Sequence, residues 1–130
     1  MKFMITAVSL LAMPAAAETF DAEQVDALVR GNTVYLDVPA GGPMGPGGEV
    51  PVYFNAQGEI FARFPTGTLA SGTWAGSDAG YCADWVPAPK NSCSLIERDE
   101  TGLFIVNPAS GERRGAITRI VPGNPETFGG

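Results

Sequence analysis

The chain reads as a mainly β protein: a short N-terminal helix, then an antiparallel meander of about eight strands. The meander is expected to form a curved sheet or small up-and-down barrel carrying one disulfide. Three observations lead there. After residue 31 apolar and polar residues alternate, as in Val34, Leu36, Val38 and again in Val50, Val52, Phe54. Most of the 17 glycines and 11 prolines fall between such runs, so the strands are joined by local turns. Both cysteines and both tryptophans lie within the 20 positions from Trp74 to Cys93, which makes that stretch a stapled hairpin.

The chain opens with Lys2, an apolar run from Phe3 to Met13, and Ala15-Ala16-Ala17. This is the layout of a secretion signal, with cleavage expected after Ala17 and a single β-rich domain over residues 18–123. The run is about half the ~20 residues that a spanning helix requires, so no membrane span is expected. From Glu18 to Gly31 the signals are helical. Asp21 and Gln24 have the spacing of a capping box, Phe20 and Val25 that of a hydrophobic staple, and Gly31 suits the position after the last turn. Val25, Leu28 and Val29 form one apolar stripe, so this helix should lie on a core or plug one end of a barrel.

The first long strand begins at Asn32, with Thr33, Tyr35 and Asp37 facing away from the valines and Leu36. In Pro39 to Gly48 only Ala40 and Met44 are neither glycine nor proline, so this is a flexible loop or flap. Val50 to Phe54 and Ile60 to Phe64 pair as a hairpin across Asn55–Gly58, and a strand around Trp74 follows. Tyr81, Ala83 and Trp85 alternate with Cys82, Asp84 and Val86. The chain then turns at Pro87–Lys90 and returns from Cys93 to Arg98. Leu103–Asn107 and Arg113–Val121 are the last strands, and 124–130 is expected to be a flexible tail. A meander must curl or close to protect its edges, hence the barrel.

Cys82 and Cys93 are expected to bond in an oxidising compartment. Loss of residues 1–17 removes Lys2 and no acid, so the full chain's net charge of −6 becomes more negative. That balance disfavours nucleic acid or anionic lipid as a partner.

GNTVY at Gly31–Tyr35, YF-x-x-x-G at Tyr53-Phe54 and Gly58, and GTW at Gly72–Trp74 are followed by Cys82, Trp85, Cys93 and a closing VPGNP at Val121–Pro125. Together these resemble a group of small exported alphaproteobacterial proteins of unassigned function. Some members are labelled dihydrodipicolinate reductase. This chain has no glycine-rich dinucleotide fingerprint after a strand and no length for a Rossmann domain, so the label is set aside. The resemblance implies export and no activity.

The sequence contains no histidine, the commonest general base and metal ligand. No catalytic residue, metal or cofactor is expected. Asp78 with Asp84, or Glu97, Asp99 and Glu100, would be the carboxylates of a rival enzymatic reading, and their spacing fits no calcium loop. Arg113 and Arg119 are expected to pair across strands near Glu97. The aromatic residues Tyr35, Tyr53, Phe54, Trp74 and Trp85 are the candidate ligand-binding set, since alternate aromatics of a closed sheet line its interior. The expected function is a monomeric periplasmic or secreted binding module, non-enzymatic, for a small apolar ligand or an envelope protein. The alternative is an inhibitor of a secreted protease or lysozyme, with Glu18–Phe20 or the loop 39–48 as its plug.

Overall fold

A computed structural model describes residues 17–41, 45–78 and 80–129. The expected signal peptide, Ala17 apart, lies outside the described residues, as do Met44 and Gly130. The strands are β1 (Glu18–Thr19), β2 (Asn32–Val38), β3 (Gly48–Phe54), β4 (Glu59–Arg63), β5 (Leu69–Ser77), β6 (Gly80–Val86), β7 (Ser92–Asp99), β8 (Gly102–Val106) and β9 (Arg113–Pro122). Helix α1 spans Ala22–Val29. Every pairing from β2 to β9 is antiparallel and joins neighbours in sequence. β9 then pairs back onto β2, so eight strands close into a barrel and β1 adds a ninth to the sheet.

Helix α1 forms where its caps demand. The Asp21 carboxylate accepts the Gln24 amide at 2.8 Å, while the Gln24 side chain accepts the Asp21 amide at 2.9 Å. This satisfies two of the donors that a helix start leaves free. Arg30 is the C-cap, and Gly31 follows at φ 77°, a left-handed turn that glycine enters without penalty. The Gly31 amide then donates to the Phe54 carbonyl at 2.7 Å, fixing the helix across the end of β3. Val25 and Val29 are fully buried in the barrel core, so the apolar stripe plugs one end as expected.

Inward-facing residues follow the period of two. Val34, Leu36 and Val38 on β2 face Val52, Val50 and Gly48 on β3, and Ile60 and Ala62 continue the layer on β4. Next to the helix, Phe54 sits edge-on to Trp74 and Tyr81, with ring centroids 5.4 and 5.1 Å away. Trp85 faces Gly72 across β5 and β6, and a side chain on Gly72 would strike the Asp84 carbonyl. The glycine is the space that lets the tryptophan strand approach. Buried side-chain polar atoms among the described residues all have hydrogen-bond partners.

The β6–β7 seam is short, as is β3–β4. It has three residue pairs, and the middle pair is Cys82–Cys93, disulfide-bonded with Cα atoms 3.9 Å apart. β1 takes up the free remainder of that β7 edge, pairing Glu18 with Arg98 and Thr19 with Glu97, and the Phe20 amide donates to the Ile96 carbonyl. Glu18–Thr19, read above as part of the helical stretch, is therefore a strand. The reason is tertiary: an open ladder edge offers backbone partners that local propensity does not count.

Candidate functional site

The candidate aromatic set divides between two faces. Phe54, Trp74 and Trp85 point inward, where Phe54 and Trp74 belong to the core and Trp85 packs against it half-buried. The Trp74 indole N–H donates to the Asn55 carbonyl at 3.2 Å, and the Arg30 guanidinium lies 4.7 Å from its ring centre. These rings are committed to filling and capping the barrel. Tyr35 and Tyr53 point outward, because each alternates with the inward valines of its strand. The interior expected for all five was the wrong side for these two.

Outward aromatics on a small domain require a cover, and the chain supplies one. Residues 124–130 were expected to be a flexible tail; instead 124–129 fold back across the outside of β2, β3 and β4. The Thr33 hydroxyl donates to the Gly123 carbonyl at 2.8 Å, which turns the chain onto this face. The Asn124 side chain then donates to the Phe128 carbonyl and accepts its amide, at 2.8 and 2.9 Å, closing a compact loop. Phe128 is 9% exposed and stacks on Phe61 with centroids 6.1 Å apart; Phe61 in turn stacks on Tyr53 at the same distance. We call residues 124–129 the strap.

Glu126 is the polar centre of this face. One carboxylate oxygen accepts the Tyr35 hydroxyl at 2.7 Å, and the other accepts the Arg63 guanidinium at 2.7 Å. Arg63 also lies 5.1 Å from the Phe128 ring centre, and Arg119 covers Tyr35 at 3.7 Å. The Tyr35 hydroxyl and the Arg63 guanidinium hold the Glu126 carboxyl below its usual range. Burial, then the neighbouring Glu126, pushes the Tyr35 hydroxyl up. Beside the strap a hollow of about 430 Å³ remains, lined by Phe61, Leu69, Ala70 and Ser71 with Thr127–Gly129.

A second, wider depression of about 690 Å³ lies at the helix end, between Asp21, Glu23, Asp26 and the β5–β6 turn at Asp78. Asp26 is ion-paired with Arg30 at 2.8 Å. The carboxylates of the enzymatic reading stay apart. Asp78 precedes β6 at the helix end, and Asp84 lies near the other end of that strand, where it accepts the Asn91 amide at 2.6 Å. Asp99 is held by Thr101 and by Arg113 at 2.6 Å, which keep its carboxyl far below the usual range. Arg113 thus pairs with Asp99, and Arg119 approaches Glu49 at 3.7 Å, neither with Glu97. Bulges that skip Arg114 and Thr118 shift the register of β9 twice, which strand parity alone does not foresee. Arg114 donates to the buried Ser94 hydroxyl at 2.6 Å.

Among the described residues no three Cys, Asp or Glu side chains converge as a metal-ligating group. No helix among them is long and apolar enough to cross a membrane, a statement that does not extend to strands. Glu18–Phe20, one of the two plugs in the inhibitor reading, is paired to β7 with Phe20 buried, so it does not project as a free arm. The other, the loop 39–48, is the β2–β3 connection at the end opposite the helix, where Gly41 donates to the Gly45 carbonyl at 2.9 Å. No family model, curated protein or solved structure matches the chain.

Proposed function

We propose that the protein is an exported, non-enzymatic binding module of the periplasm or extracellular space that recognises a protein partner with the outside of its barrel. The carrying observation is that the interior is occupied by its own side chains. Phe54, Ile60, Ile96, Val34 and Val50 are all at most 1% exposed, helix α1 fills one end, and the two hollows described above lie outside. Of the two occupants considered from sequence, a protein partner fits this better than an enclosed apolar ligand. The acidic helix end supports the exclusion of nucleic acid, since phosphate binding requires the opposite charge. The cross-strand disulfide is compatible with an oxidising compartment.

Native mass spectrometry of the protein purified from its own envelope tests this. The expected result is a chain that begins at Glu18, carries no small molecule, and is recovered with a stoichiometric protein partner. A tightly retained small ligand with no protein partner would overturn the surface reading, and an uncleaved chain in the cytoplasm would overturn export.

A further inference from the structure

We infer that the outer face of β2, β3 and β4 is a binding seat for a partner segment that folds as a turn and carries glutamate followed two residues later by an aromatic side chain. The chain's own residues 124–129 are its tethered occupant. This names the site and the ligand class of the binding-module reading, and it rests on that reading.

The occupant displays the chemistry that the seat recognises. The Tyr35 hydroxyl and Arg63 guanidinium take separate oxygens of the Glu126 carboxylate, and Phe61 and Arg63 flank the Phe128 ring. Each contact reads a side chain, so another segment with the same two groups at the same spacing, turned as the Asn124 clasp and Thr127 turn this one, can make them all. The carboxylate site is the Tyr35–Arg63 pair, since Arg119, which also borders the seat, already approaches Glu49 at 3.7 Å. A charge-assisted pair of hydrogen bonds plus an aromatic stack is the usual make-up of a peptide anchor.

The strap also leaves part of the seat empty. The hollow beyond Phe128 is floored by Ala70 and Ser71, and Leu69 at its rim is 65% exposed. Val86, 62% exposed, faces Ser71 from β6 and extends the apolar surface. Gly129, which follows Phe128 and lines this space, offers it no side chain. Gly129 itself has φ 72°, and a side chain there would press on the Phe61 ring at 3.1 Å. A partner that carries an apolar side chain into this hollow gains burial that the strap forgoes. Intramolecular tethering holds a short segment at an effective concentration of about a millimolar, so the strap is a competitor that a better-fitting partner displaces.

The test is fluorescence anisotropy with a labelled peptide of residues 123–130, titrated with the full mature chain. The chain bearing Glu126→Gln and Phe128→Ala, whose strap is weakened while its seat is intact, is expected to bind the peptide at least 10-fold tighter than the unaltered chain. Phe128→Ala in the peptide should abolish binding. Equal affinity for both chains, or for both the native and the Phe128→Ala peptide, overturns the seat. The unaltered chain provides a readout independent of variant folding. At about 1 mM peptide its Thr127 and Phe128 amide resonances should move toward random-coil positions. No movement overturns the proposal. Failure here with a partner still retained in native mass spectrometry removes this seat and leaves the binding-module reading standing.

Discussion

Helix α1 and the C-terminal strap both cover part of the barrel, and they do so by different physics. The helix places Val25 and Val29, both 0% exposed, inside the same apolar cluster as Phe54 and Ile96, so removing it opens the core. The strap lies on the far side of the sheet, beyond the backbone, and holds on through one carboxylate and one ring, with the Asn124 clasp closing its own loop. The first covering is part of the cooperative fold, while the second, held by fewer contacts, is expected to leave without unfolding it. A surface that is covered and yet separable from the core is where a small barrel with a filled interior has room for recognition.

The comparison breaks first if the helix is not essential. Val29→Asp would bury an unpaired carboxylate among the barrel's side chains and is expected to lower unfolding free energy by about 4 kcal/mol or more in a urea titration. Cys82→Ser releases the three-pair β6–β7 seam beside which β1 docks, and should cost about 2–3 kcal/mol and lower the thermal midpoint by roughly 10 °C. Asp21→Ala removes the helix cap and should cost about 1 kcal/mol. Phe128→Ala, although it deletes a large ring, should leave the main unfolding midpoint within about 1 kcal/mol of the original. Its effect is expected instead as faster limited proteolysis between Glu126 and Gly129. A loss of several kcal/mol there would make the strap part of the core.

The smallest expected effect is that of acid. Glu126 has a folded pKa below its unfolded one, so its contribution is complete above the ordinary glutamate pKa of about 4.3 and is lost as pH falls through the lower folded value. The groups that face it are the Tyr35 hydroxyl and the guanidinium groups of Arg63 and Arg119. Strap resonances should therefore broaden or shift below about pH 4, and Glu126→Gln should remove that pH dependence.

The fold was largely legible because its signals are local. Period-two alternation placed Val34, Val52 and Ala83 inward, and the capping box at Asp21 and Gln24 placed the helix start. The cross-strand position of Cys82 and Cys93 followed from the turn between them. The strap was not legible by the same means. Asn124 to Gly130 has no periodicity, and its order comes from contacts with residues about 60 to 90 positions earlier, Arg63 and Tyr35 among them. One signal was present. The alternation that put Val34 and Val52 inside put Tyr35 and Tyr53 outside, and Phe61 with them. Three outward aromatics on adjacent strands ask what covers them, and Phe128 is the apolar residue in the tail that can answer.

Native-state amide hydrogen exchange compares the two coverings directly. The Val25 and Arg30 amides, hydrogen-bonded at 3.0 Å within the helix and its cap, report the helix. The Phe128 amide, bonded to Asn124 at 2.9 Å, reports the strap. The strap amide is expected to open at about 1–3 kcal/mol with little denaturant dependence, and the Val25 amide near the global unfolding free energy. Exchange of Phe128 through global unfolding alone would contradict a separable strap, and with it the binding seat beneath.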